Sequence, residues 1–447
     1  MKIHFIAIGG AIMHQLALAL HRKGYQVTGS DDEINNPAKS NLENNGLLPK
    51  KMGWYAERIT SDLDGVILGM HAKADNPELL KAQELGLKIY SFPEYIYEFS
   101  KSKKRVVIAG SHGKTTTTSM IMHVLKDSGL AFDYMVGAKV EGFDQSVHLS
   151  DAPLIILEGD EYPASVIEKQ PKIHFYHPHI SVLTGIAWDH INVFPTFENY
   201  IHQFNTYLNF FDSDTHLIYN EEDENVNNLI KKFYGKFQLT PYQTPEFIIS
   251  DHKVAIQAPY GEQELQIFGN HNIQNMEAAR LVCNDLGVDD IQFYKSIATF
   301  KGAARRFEKI NDRENFVSYR DFAHAPSKLK ATLNGARNQF ADKHLIACFE
   351  LHTYSSLNQA FLNEYKDAMK NCDVGAVFYS KHALELKGLP NLSVNDIKKG
   401  FGDNNLNVIN DKNELRDWIQ AEIQKTEKPI VLLLMSSGTF DGMDIEF

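Results

Sequence analysis

The sequence predicts an α/β protein of three domains, each built on a largely parallel sheet. Three observations carry the prediction. Short apolar runs alternate with helical stretches across glycine turns through the first hundred residues, a second such pattern starts at Val106, and a third group of apolar runs follows residue 304. A chain of 447 residues also exceeds what one hydrophobic core organises, and its length fits about three domains of about 150 residues each.

The first domain is placed at residues 1–103. A strand from Ile3 to Ile8 meets the turn Gly9-Gly10, an amphipathic helix runs to about Arg22, and further strands are expected at Gln26 to Gly29, Gly65 to Gly69 and Leu87 to Tyr90. The basic stretch Lys101-Ser102-Lys103-Lys104-Arg105 is expected to be a solvated linker. The central domain, 104–303, opens with the strand Val106 to Ala109, a Gly/Ser/Thr loop and a long helix, and has later strands at Leu154 to Leu157 and Ile180 to Thr184. Between about Asp212 and Phe268 the pattern is irregular and partly β-like. A helix from His271 to Leu286 follows, closed by Gly287. The last domain, 304–447, is expected to hold strands at Phe316 to Tyr319, His344 to Phe349, Gly375 to Tyr379 and Pro429 to Met435.

Composition narrows the function. With 43% hydrophobic and 23% charged residues the whole chain is expected to fold. A net charge of -12 argues against broad contact with nucleic acid or an anionic membrane, while leaving room for a small phosphorylated ligand held by a few local donors. The three cysteines, Cys283, Cys348 and Cys372, have no metal-like spacing and read as buried thiols of a reducing compartment. The apolar start is interrupted by Gly9-Gly10 and His14, and no run approaches the roughly 18 apolar residues of a membrane span, so the expected location is cytoplasmic. Nothing in the sequence speaks to oligomeric state.

The strongest local signal is Gly110-Ser111-His112-Gly113-Lys114-Thr115-Thr116, between a strand and a helix. Small residues let backbone N–H groups curl around phosphate at the helix's positive end, Lys114 adds charge, and Thr115 can hold magnesium. Lys114 is expected in a solvent-facing loop, so that its loss would spare the fold. The strict pattern wants glycine at 108, where this chain has isoleucine. Glu158-Gly159-Asp160-Glu161 ends an apolar strand, where open α/β sheets place ligands, and hard carboxylate oxygens suit magnesium. His190, in Trp188-Asp189-His190, is a further metal ligand or a structural histidine. In Gly269-Asn270-His271-Asn272-Ile273-Gln274-Asn275, His271 and Asn275 share a helix face and the amides suit an adenine edge; helix capping by Asn270 or Asn272 is the alternative. Arg305-Arg306 can neutralise a transferring phosphoryl group or lie on the surface, and Asp321-Phe322-Ala323-His324-Ala325-Pro326 follows.

Taken in order, these blocks resemble the Mur ligase family over nearly the whole chain. The resemblance implies a UDP-binding N-terminal turn at Gly9-Gly10-Ala11-Ile12-Met13, with Gly9, Gly10, Met13, Ser30 and Asp31 as substrate contacts. It implies an ATP loop at Gly110 to Thr116, with Thr115, Glu158 and His190 as magnesium ligands. His271, Asn272, Asn275, Arg305, Arg306 and Asp321 would complete the ATP site, and His324, His352 and Ser436 would meet substrate. Lys114, His190 and Arg306 are the implied catalytic residues. The implied architecture is a Rossmann-like N-terminal domain, a P-loop central ATPase domain and an α/β C-terminal domain, with ATP and Mg2+ as cofactors.

Within the family, Glu158 to Tyr162, Lys172 to Pro178 and Met435 to Gly442 look most like the murein peptide ligases, which join UDP-N-acetylmuramate to the cell-wall tripeptide L-Ala-γ-D-Glu-meso-diaminopimelate in recycling. Glu350-Leu351-His352-Thr353-Tyr354-Ser355 resembles the alanine-adding ligases equally. The expected amine is therefore the tripeptide, with L-alanine as the alternative. Gly185 and Ala187 stand where relatives commonly carry an Asn and a Glu, and no lysine follows Pro195 through Phe211 to supply a carbamylated ligand. Two non-ligase readings compete: a nicotinamide dehydrogenase, from Gly9-Gly10 with Ser30-Asp31-Asp32 about twenty residues on, and a silent UDP-sugar and ATP sensor, from Ala187.

Overall fold

A computed structural model describes residues 1–165, 167–189, 191, 193–302 and 306–447. Three α/β domains are present, and they fall into two compact units. One comprises Met1–Gly185, Ile201–Tyr242 and Ala278–Val288; the other comprises Ile186–Tyr200, Gln243–Glu277 and Asp289–Phe447. The predicted site residues His190 and Arg305 lie outside the described residues.

The first unit carries two sheets. In the N-terminal one the strands lie in the order Gln26–Ser30, Lys2–Ile6, Gly65–Leu68, Ile89–Ser91, all parallel. The chain turns one way from Lys2–Ile6 and then crosses back to its other side, so the switch point falls at that strand's carboxyl end, the usual ligand crevice of such sheets. The strand stops two residues short of the predicted Ile8 because Ala7 enters the left-handed region at φ 67° and starts the turn. Helix Ala11–Arg22 follows, burying Met13, Leu16, Ala17 and Leu20 at helical spacing against the sheet.

The central sheet has seven strands in the order Gln238–Tyr242, His216–Asn220, Ile180–Leu183, Lys104–Ala109, Leu154–Glu158, Asp133–Met135, Val147–His148, parallel except for the last. Lys104–Ala109 sits in the middle. Its register pairs Ile108 with Glu158 and Ala109 with Leu183, so the loop after it emerges between the ends of two neighbouring strands.

The basic stretch is not a solvated linker. Lys103 and Arg105 are each only 7% exposed. Arg105 donates through Nε to the carbonyls of Tyr176 and His177 and through Nη1 to those of Ser100, Lys101 and Lys103, at 2.8–3.3 Å. Lys103 Nζ donates to the carbonyls of Ser150 and Ala152 and pairs with Asp133 at 2.9 Å. Buried cations survive when their donors are spent on carbonyl and carboxylate oxygens, as here.

The second unit holds a six-stranded sheet ordered Glu308–Arg313, Phe316–Asp321, Ile430–Met435, His344–Leu351, Val374–Tyr379, Asn407–Ile409. Its first pair is antiparallel and the rest are parallel. Met435 is opposite both Asp321 and Phe349, which brings the loops after those three strands to one edge. The irregular stretch of the sequence resolves into two parallel strands of the central sheet and a separate antiparallel sheet, Phe247–Ser250, Lys253–Ala258, Gly261–Leu265. Its first hairpin turns on Asp251-His252, both at positive φ. That pair stands in for the Asn-Gly or Asp-Gly that would have announced the hairpin in the sequence.

Candidate active site

The loop after Lys104–Ala109 is shaped by Gly110. Its φ is +125°, and a Cβ there would lie 2.2 Å from Thr184 Oγ1. Thr184 in turn donates to the carbonyls of Ala109 and His112, and Ser111 N donates to Gly185 O at 2.9 Å, so the neighbouring strand end clamps the loop's first half. Gly113, at φ 75°, then starts helix Lys114–Asp127. The amides of the loop and first turn thus surround the positive end of a 14-residue helix, the arrangement that takes up phosphate.

Lys114 is not in open solvent. Its side chain is 11% exposed, donating to Gly110 O at 2.6 Å and to Glu161 Oε2 at 2.8 Å, with Glu161 at 2%. Burial by itself would lower the lysine's pKa, but Glu161, Asp160 and Glu158 outweigh it and raise it, so the ammonium stays charged. The Glu161 pairing is a feature that the motif alone did not reveal.

Thr115 Oγ1 donates to Glu158 Oε1 at 2.7 Å, and Gly137 N donates to Glu158 Oε2 at 2.7 Å. Burial and then the charge of Asp160 push the Glu158 carboxyl up. A carboxylate and a hydroxyl in contact beside a phosphate loop fit a magnesium ion, which takes one or two protein oxygens and completes its shell from phosphate and water. Among the described residues no group of three or more His, Cys, Asp or Glu could hold a metal alone. Thr115 and Glu158 are the described residues that would hold such an ion.

At the N-terminal turn, Gly9 N donates to Asp31 Oδ2 at 2.7 Å, and burial raises the Asp31 carboxyl to about 6. Ser30 lies in the interior of the N-terminal domain. It is fully buried, and its hydroxyl is donated to Glu78, which also accepts from Tyr55 N at 2.8 Å and lies 3.3 Å from His4 Nε2. A cavity of about 340 Å3 runs from Gly10 and Met13 of this turn to Glu158 and Asp160 of the central sheet.

The second unit gathers the other predicted residues. Asp321 accepts from Phe307 N at 2.8 Å, Ala323 N at 2.9 Å and Thr332 Oγ1 at 3.0 Å, so its carboxylate organises the turn. Arg306 lies 4.8 Å over the Phe322 ring. His271 is held low by burial against the opposing pull of Asp321, and Asn272 Nδ2 donates back to Phe268 O at 2.9 Å. Asn275 is buried. His324 is pushed down to about 4 by burial and Lys328, with Asp189 Oδ2 at 3.7 Å from its Nε2. Beyond the next strand end, buried Glu350 accepts from Ser436 Oγ and from Phe440 N at 2.8 Å, and lies 3.5 Å from His352 Nδ1. A Cβ on Gly438 would meet that nitrogen at 2.5 Å, so the glycine lets the loop backbone lie against the imidazole.

A phosphate loop at the centre of a parallel sheet, with a hydroxyl–carboxylate pair beside it and a third α/β domain, defines an ATP-using P-loop enzyme. Residues 2–104 match the model of the Mur ligase family catalytic domain and residues 108–283 that of the Mur ligase middle domain. A UDP-N-acetylmuramate–L-alanine ligase of Sulfurihydrogenibium sp. is 30% identical over 447 residues, covering 98% of this chain and 95% of that one. The chain belongs to the Mur ligase family, and it is an ATP-dependent amide ligase of peptidoglycan synthesis.

Among solved structures, the UDP-N-acetylmuramate-alanine ligase of Thermotoga maritima aligns at a TM-score of 0.71 with 22% identity, over 99% of this chain and 97% of that one. A murein peptide ligase of Psychrobacter arcticus aligns at 0.65 with 22% identity and the same coverage. Both show the fold. The expected kinship to the murein peptide ligases is corrected by the Sulfurihydrogenibium relative: similarity in sequence runs to the alanine-adding ligases. The segments that pointed the other way are short, and two of them begin at the ends of strands. The dehydrogenase and silent-sensor readings fall with the family assignment.

Proposed function

We propose that the chain joins L-alanine to the muramoyl carboxylate of UDP-N-acetylmuramate, converting ATP to ADP and phosphate. The observation that carries this reading is the similarity, along nearly all of both chains, to the Sulfurihydrogenibium ligase of that name. The carboxylate oxygen attacks the γ-phosphorus, the bond to the β,γ-bridging oxygen breaks, and ADP leaves an acyl phosphate. The amino nitrogen of alanine then adds to the activated carbonyl, loses a proton, and phosphate departs with the C–O bond's electron pair.

The amides at the helix's start, from Gly113 to Thr116, hold the phosphates in line. Lys114, kept charged by Glu161, faces the negative charge that develops on the phosphoryl oxygens. Thr115 and Glu158 would hold a magnesium ion, which when bound would spread that same charge. Glu158→Ala is expected to raise the magnesium concentration needed for half-maximal activity by about tenfold or more. A titration of activity with MgCl2 checks this, and an unchanged midpoint would remove Glu158 from the metal site.

The amine is tested by comparing kcat/KM for L-alanine and for L-Ala-γ-D-Glu-meso-diaminopimelate at saturating ATP and UDP-N-acetylmuramate. Discrimination is the ratio of these constants, and alanine should lead by about tenfold or more. A ratio favouring the tripeptide would overturn the alanine assignment and leave the ligase chemistry standing.

A further inference from the structure

The cavity that runs from the N-terminal turn to Glu158 poses an electrostatic problem. One end is lined by two carboxylates, Glu158 and Asp160. A substrate whose own carboxylate must approach the phosphate loop is repelled there, and the repulsion is strong where water is scarce. Among the described residues that line the cavity, Lys172 is the one lysine or arginine. Its Nζ lies 3.3 Å from Asp160 Oδ2, and its side chain is 19% exposed.

The lysine is also held in place. Lys172 N donates to Tyr162 O at 2.8 Å, Ile173 N donates to Asp160 O at 3.1 Å, and Pro163 bridges to Pro171, tying the segment before Lys172 to the strand end that carries Asp160. An ammonium has three N–H donors, enough for Asp160 and a substrate carboxylate together.

We propose that Lys172 binds the muramoyl carboxylate and selects UDP-N-acetylmuramate over UDP-sugars that lack it. The assignment rests on the proposed sugar substrate. Asp160 sets the direction of the ammonium, and the lysine offsets the Asp160 charge beside the reacting group, as Lys114 and a bound magnesium ion would offset Glu158.

The experiment is calorimetric titration of wild type, Lys172→Met and Lys172→Arg with UDP-N-acetylmuramate and with UDP-N-acetylglucosamine, which lacks the lactyl carboxylate. Wild type should bind the muramate more tightly. Lys172→Met should weaken the muramate about tenfold or more and the glucosamine less than about twofold, and Lys172→Arg should restore most of the difference. If Lys172→Met does not fold, Lys172→Gln takes its place in the same comparison. Equal weakening of both ligands would overturn the carboxylate assignment alone, because a contact to the shared diphosphate or a general loosening affects both. A wild-type chain that binds neither nucleotide sugar would overturn the proposed substrate, and this assignment with it.

Discussion

Lys114→Ala should lower ligation about a thousandfold and should also cost stability. The first effect follows from removing a fixed positive charge from the phosphoryl group in flight, where one such donor contributes about 10²–10³ in rate. The second follows from Glu161, 2% exposed, which loses its cation at 2.8 Å. Breaking a buried pair on one side costs about 3–5 kcal/mol, because the remaining charge loses its counter-ion where water is scarce. With Lys114 at 11% exposure the lower end of that range is expected. The double variant Lys114→Ala/Glu161→Gln separates the two effects. Chemical denaturation should show much of the stability recovered, while a coupled ADP-release assay should remain near background. Recovery of activity in the double variant would mean that Lys114 acts only by neutralising Glu161.

Gly110→Ala should be nearly as damaging by a different route. Its added methyl would meet Thr184 Oγ1 at 2.2 Å, in a backbone conformation of φ +125° that side chains rarely adopt. Thr184 cannot yield freely, since its hydroxyl serves both Ala109 O and His112 O. Strain of this kind costs about 1–3 kcal/mol at each such residue, and opening the loop would misplace every amide that follows. ATP binding, followed by titration, should weaken at least about tenfold together with a lowered Tm. Wild-type nucleotide affinity in a folded Gly110→Ala chain would show that the loop's shape does not depend on this glycine.

Much of this was visible in the residues themselves. A parallel sheet announces itself through buried apolar runs such as Val106 to Ala109 ending in glycine, and the loop from Gly110 to Thr116 was placed on the correct element. Buried charge was the harder part. Lys103 and Arg105 in a basic run look like a wet linker, because their partners are carbonyl oxygens contributed by segments as distant as Tyr176 and Ala152. Ser30 was expected as a substrate contact from family resemblance, and its hydrogen bond to Glu78, 48 positions away, has no counterpart in any local pattern. Lys172 carried no signal of its own, since only the fold brings it beside Asp160 at the end of a cavity. The choice between alanine and tripeptide was beyond short-segment resemblance, which weighs a few strand-end residues against similarity spread along the whole chain.

The Arg105 guanidinium bears on how the first unit handles its ligand. Its carbonyl partners come from the end of helix Phe92–Ser100 on one side and from Tyr176 and His177 on the other, and the bonds to Ser100 and Tyr176 are buried. A joint filled by a multiply bonded cation is a weld, not a pivot, because parting its two sides would strand several buried polar groups at once. The cavity between the N-terminal turn and Glu158 thus behaves as a gauge of set width. A UDP-sugar seated there as proposed would have to match that width between its diphosphate and its reacting carboxylate.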